Sequence, residues 1–192
     1  RPFDVSRFFR WRMYEDYSGG PVTDLFPHSL TPTLYMIGAG MPTKVVGVGG
    51  KYRYEQREVP DTFNMLIEYP GGITVAVLGT QGNAYSGTGD RGAGGRVPII
   101  RGWEGSLTVE KDQILIIPAD TNKEVKKVPI EQPEDTKQYF KMFYECCVNQ
   151  DPNTPCPMDL AYRAQTALQM GALALREDKV AHFDAAQERI VL

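Results

Sequence analysis

Between residues 44 and 130 the chain is patterned almost entirely as short strands, and helical patterning is confined to what precedes and follows. Thr62 to Tyr69 sets Phe63, Met65, Ile67 and Tyr69 against more polar neighbours, the period-two pattern of a half-buried strand. Pro70-Gly71-Gly72 supplies a hairpin turn, and residues 73–78 return. Residues 45–48, 97–100, 105–109, 114–118 and 124–129 read as further strands. Ahead of them, Leu25, Phe26, Leu30, Leu34, Tyr35 and Ile37 fall close to helical spacing, with Thr23 or Asp24 able to cap the start. Pro32 should kink or shorten that helix, and Gly38 and Gly40 should end it. After the strands, residues 135–149 and 158–177 read as helices, and the tail from His182 as a short polar end. Strands grouped together, rather than alternating with helices, predict an α+β fold: an open, mostly antiparallel or mixed sheet with helices on one face.

Composition removes several functions. A chain of 192 residues is one domain by default, or two small ones. The net charge of −3 argues against a nucleic-acid binder that works through a basic surface. No apolar run approaches the roughly 20 residues of a membrane helix. Three cysteines are too few for a disulfide framework, and two histidines exclude a multi-histidine metal site. The chain opens at Arg1 without a charged-then-apolar leader, which reads as a piece of a longer protein, cytoplasmic by default.

The sharpest local feature runs from Gly19 to His28. A Gly19-Gly20-Pro21 turn delivers Asp24 and His28, four residues apart, at a helix start. On a continuous helix the two would share a face, and a carboxylate beside an imidazole suits general acid–base work. The plainer alternative is a capping aspartate and a packed histidine. Gly87-Thr88-Gly89-Asp90-Arg91-Gly92 matches GxGxxG, but a strand pattern follows it where a dinucleotide site needs a helix N-terminus, so it reads as a loop. Arginines interleaved with aromatics from Phe8 to Tyr17 suit either ligand binding or a buried anchor. Cys146 and Cys147 read as buried small hydrophobes, and His182 as a surface residue.

Taken together, these segments resemble the C-terminal domain of the glucose–fructose oxidoreductase/inositol dehydrogenase/MocA family. The resemblance rests on the glycine turn with Asp24 and His28, on Pro60-Asp61-Thr62 leading to Glu68-Tyr69-Pro70-Gly71-Gly72, on Gly102-Trp103-Glu104-Gly105, and on the helix from Met158. It spans nearly the whole chain.

The resemblance implies a C-terminal substrate-binding and oligomerisation domain, residues 1–192, of an NAD- or NADP-dependent oxidoreductase acting on a sugar, polyol or related hydroxyl compound. Its Rossmann domain would lie outside this chain and hold the cofactor, so the chain alone should bind no dinucleotide and lack activity. His28 would be the acid/base that moves the proton, and Asp24 would orient it or bind a substrate hydroxyl. Arg12 and Arg163 are expected to contact substrate. The open sheet face would carry a homo-oligomer, with no nucleic-acid or membrane partner. Two departures stand out: the third residue of the turn is Pro21, and Thr31 stands where the family often has a second aspartate. The rival expectation is a non-catalytic β-sheet interaction module that keeps the scaffold.

Overall fold

The computed structural model describes residues 2–83, 98–110, 113–131 and 135–192. The chain forms two compact units, Arg1–Gly95 with Met158–Leu192, and Arg96–Pro157.

The first unit starts with a short helix α1 (Val5–Phe9) and a 3₁₀ turn (Trp11–Met13), followed by helices α2 (Pro21–Asp24) and α3 (Pro27–Ile37). Strands β1 (Lys44–Gly50), β2 (Thr62–Tyr69) and β3 (Ile73–Thr80) come next. In the second unit, β4 (Ile100–Arg101), β5 (Gly105–Glu110), β6 (Gln113–Pro118) and β7 (Lys126–Pro129) pair antiparallel in sequence order, and helix α4 (Thr136–Asn149) follows. The chain then returns to the first unit as helix α5 (Met158–Glu177) and strands β8 (Ala181–Asp184) and β9 (Arg189–Val191). The first unit's sheet has the order β3-β2-β1-β8-β9, antiparallel throughout. The α+β class is as the sequence implies, with the strands divided between two sheets.

Every fully buried described residue lies in the first unit. The alternation read in β2 is the burial pattern observed: Phe63, Met65, Ile67 and Tyr69 are buried, and Leu66 and Glu68 are exposed. Helix α5 lies on the buried face, packed on β1 and β8, with α3 and α2 against it. Its buried stripe, Leu160, Ala164, Ala167, Leu168, Gly171 and Ala174, recurs at three- and four-residue steps and consists largely of small side chains. Small residues let backbones approach. A Cβ placed on Gly47 of β1 would lie 2.6 Å from the Gly171 carbonyl oxygen, and one on Gly171 would lie 3.0 Å from Met65 Cε. No helix among the described residues is long and apolar enough to cross a membrane.

Three local expectations are revised. The tail forms β8 and β9: Ala181 pairs with Val45, and the Asp184 carboxylate accepts from the Ala186 and Gln187 amides to close the turn. Cys146 is half-buried and Cys147 exposed, because α4 has no buried residue. Pro32 sits inside α3 without ending it; the helix ends at Gly38, in the left-handed conformation.

The close approach of β1 and α5 makes a specific prediction. Gly47→Ala should cost about 1–3 kcal/mol through overpacking, read as a lower urea midpoint. Gly40→Ala, where a Cβ meets nothing within 4 Å, should stay within about 0.5 kcal/mol of wild type.

Candidate functional site

Gly20 has φ +74°, and a Cβ on it would lie 3.0 Å from the Pro60 carbonyl oxygen. Glycine therefore satisfies both the turn and its packing on Val59-Pro60. Pro21 follows at the first position of α2, where its missing N–H costs nothing. The turn is closed by side chains: the Gly20 amide donates to Ser18 Oγ at 3.0 Å and the Gly19 amide to Thr23 Oγ1 at 3.0 Å.

Asp24 and His28 do not share one continuous helix. Asp24 ends α2, and α3 begins at Pro27. Between them Phe26 turns into the core, its ring 5.7 Å from that of Phe63 and stacked over Gly79. Neither Thr23 nor Asp24 caps α3, whose start has no side-chain cap. The Asp24 carboxylate instead accepts from Ser18 Oγ at 3.3 Å and pairs with Arg12 Nε at 3.2 Å. His28 lies exposed on the first turn of α3. The structure therefore joins Asp24 to Arg12 and not to His28.

Arg163 is engaged away from this group. Its Nη1 donates to the Ala39 carbonyl at 2.6 Å and its Nη2 pairs with Asp159, so it ties the turn after α3 to α5. The aromatic N-terminal segment is no buried anchor, since Phe8, Phe9 and Tyr17 are at least half exposed. It is held by polar contacts. Arg7 pairs with Asp16 and Glu58 and stacks on Tyr14, and the Glu58 amide donates to the Met13 carbonyl at 2.8 Å. The GxGxxG stretch at Gly87 lies outside the described residues.

An open cleft of about 540 Å³ is lined by Arg12, Met13, Tyr54, Arg57, Thr80, Gln81 and Asn83. Its organiser is Asp61, which is fully buried. The Asp61 carboxylate accepts from the amides of Tyr52, Arg53 and Tyr54, the shortest at 2.8 Å, and from Thr62 Oγ1 at 3.0 Å. These bonds fold the 51–57 segment back on the strand ends, and the Gln81 amide closes on the Asp61 carbonyl at 2.8 Å. Burial pushes the Asp61 carboxyl up, but the amides of Tyr54, Arg53 and Tyr52 and the Thr62 hydroxyl outweigh it and bring it to about 2. Sequence reasoning noted Asp61 only as part of the Pro60-Asp61-Thr62 stretch; a lone aspartate at a strand start gives no sign of the loop it gathers. Across the first unit, burial pushes the Tyr69 phenol up, and its hydroxyl has no hydrogen-bond partner.

The fold is similar to that of several solved structures. The aldose–aldose oxidoreductase of Caulobacter crescentus, complexed with glycerol, matches with a TM-score of 0.60 at 18% identity, over 90% of this chain and 50% of that one. An oxidoreductase from Agrobacterium radiobacter, in complex with NAD+, L-tartaric acid and magnesium, matches with a TM-score of 0.62 at 13% identity, over 98% of this chain and 53% of that one. The oxidoreductase domain protein from Kribbella flavida gives 0.65 at 15% identity, over 91% and 53%. This chain thus spans about half the length of the structures it matches. None of the curated proteins matches it. The model of the GFO/IDH/MocA C-terminal domain matches residues 1–108, and the chain belongs to that family.

The depressed Asp61 carboxyl sets the direction of an acid effect. The charged form is favoured in the folded state, so its stabilisation is complete above the ordinary carboxylate range and drains away between about pH 4 and about pH 2. Asp61→Asn should lose at least about 1.5–3 kcal/mol at neutral pH, the worth of one hydrogen bond to a charged group. Urea titrations at neutral and acid pH should show a smaller acid-dependent loss in the variant.

Proposed function

We propose that residues 1–192 are the substrate-binding and oligomerisation domain of an NAD- or NADP-dependent oxidoreductase acting on a hydroxyl carbon of a sugar, polyol or related compound. The observation that carries this reading is the Asp24 carboxylate, held by Ser18 and by Arg12 of the open cleft, with His28 exposed one helix break further on. Family membership and the half-length match to oxidoreductases support it. The glycerol and L-tartaric acid in two of those structures are both polyhydroxylated.

The dinucleotide belongs to a companion domain on this reading. A pyrophosphate needs free amides at a helix that follows a strand. Among the described residues the helix that directly follows a strand is α4, and the Asp135 carboxylate already accepts from its Lys137 and Gln138 amides. Those residues do not fit a dinucleotide. The exposed Phe3, Phe8 and Phe9 offer apolar surface for a companion domain. The nicotinamide ring it carries supplies the hydride acceptor. This chain's residues handle the rest. Arg12 and Asp24 bind substrate oxygens, the carboxylate accepting a hydroxyl proton in a hydrogen bond. His28 takes the proton of the reacting hydroxyl as its carbon is oxidised to a carbonyl. Arg163 contributes through the turn it ties to α5.

In the full-length protein, His28→Asn should leave the fold intact and lower turnover by about 10²–10⁴-fold, with loss of one limb of the pH–rate profile. Asp24→Asn should cost less. Near-wild-type turnover of well-folded His28→Asn would defeat the assignment of His28 as the acid/base.

The oligomer would form through the sheet face opposite α5. Cross-strand neighbours Val46, Leu66 and Ala76, with Val48 and Leu78 beside them, point to that face, and Val48, Leu66 and Leu78 are more than half exposed. A largely apolar face of this kind, with Asn64 between Val48 and Leu78, suits a second copy of the chain under twofold symmetry. Leu66→Glu should lower the mass measured by light scattering while leaving the circular dichroism unchanged. A wild-type protein that stays monomeric at high concentration would remove the assembly.

A further inference from the structure

We infer that the cleft bounded by Arg12, Tyr54, Arg57 and Gln81 recognises a carboxylate, so that the substrate is an anionic sugar acid rather than a neutral polyol. The inference rests on the oxidoreductase reading above and narrows its substrate class.

The argument is one of charge. None of the residues lining the cleft is acidic. Arg57 donates to Gln81 Oε1 and, at 3.5 Å, to the Arg12 carbonyl; both acceptors are neutral. Its Nε is buried with no partner, and it has no ion pair among the described residues. Arg12 is balanced by Asp24 through Nε alone, and its two Nη atoms have no described partner. Of the two guanidinium groups lining the cleft, Arg12 has a carboxylate partner and Arg57 has none among the described residues, so one positive charge is in excess of the ion pairs there. A partly desolvated guanidinium without a counter-charge is unfavourable, and an anion entering the cleft relieves it. A single negative charge matches the excess, whereas a phosphate dianion exceeds it. The planar fork of Arg12 also suits a carboxylate in two-point contact. A cleft of about 540 Å³ accepts a small ligand. The Asp61 hydrogen bonds hold the segment that carries Tyr54 and leads into Arg57, so the cation is placed before the ligand arrives.

The test is titration calorimetry on the full-length protein with D-gluconate, D-glucitol and inorganic phosphate at constant ionic strength. Gluconate should bind about 10–100-fold more tightly than glucitol, the range expected for a hydrogen bond to a charged group. Arg57→Gln should abolish that preference while leaving glucitol binding unchanged, and Arg57→Lys should keep part of it. Melting temperatures accompany each variant. If Arg57→Gln does not fold, Arg57→Lys takes its place, with the preference reduced rather than abolished and glucitol binding unchanged. Equal binding of gluconate and glucitol, loss of both together in a folded variant, or no binding of any probe overturns the assignment. Phosphate binding more tightly than gluconate overturns it in favour of a phosphate site. His28-dependent oxidation of glucitol without a preference for gluconate also overturns it and leaves the oxidoreductase reading standing. A gluconate preference in a protein without His28-dependent turnover leaves the cleft and removes that reading.

Discussion

The contact between Gly47 and Gly171 is the one on which the rest of the first unit depends. With a carbonyl oxygen 2.6 Å from where a Cβ would stand, helix α5 lies directly on the backbone of β1. The closeness brings Gly171, within the buried stripe of α5, into van der Waals reach of Phe63 and Met65. Helix α3 in turn packs on α5, and Arg163 fastens the following turn to α5 through the Ala39 carbonyl. His28 is therefore positioned at second hand, by a helix that owes its place to another helix seated on glycine.

The cleft is organised differently. A buried carboxylate does there what apolar contact does beneath α5. Asp61 spends its acceptors on three consecutive amides and a hydroxyl, replacing the sheet pairing that residues 51–57 lack. Such a group is costly to bury unless every lone pair is used, and its low carboxyl value shows that the charged form is well satisfied. The loop is thus ordered without a core of its own, and its Tyr54 and Arg57 line the cleft.

Much of the fold was legible because it follows from periodicity. The alternation of Phe63, Met65, Ile67 and Tyr69 gave the buried face of β2, and the uninterrupted run from Met158 gave α5. The tail was misjudged because β8 and β9 are three or four residues long, too short for a pattern, and are fixed by pairing with Lys44 and Val45. The spacing of Asp24 and His28 was visible, but their joint face was not. That depended on the break at Pro27, which has no N–H to continue α2 and opens α3 instead, with Phe26 packed on Phe63, 37 residues distant in sequence. Arg57 carried no local signal, and Asp61 none beyond the Pro60-Asp61-Thr62 stretch, since a charged loop looks the same whether its charges meet solvent or one another.

The strength of the Arg12–Asp24 pair bears on what the proposed site can do. Arg12 is 61% exposed and stacks on Trp11, while Asp24 is only 15% exposed and has a second bond from Ser18. An ion pair with one such exposed partner is worth at most about 1 kcal/mol. Asp24 is consequently the fixed member and Arg12 the movable one. A ligand carrying its own negative charge can draw Arg12 away at little cost, leaving Asp24 held by Ser18 and open to a hydroxyl. A neutral ligand offers Arg12 nothing better than Asp24 and leaves the pair closed. The same weak contact that contributes almost nothing to folding can then separate ligands by charge, because it is the contact that binding must exchange.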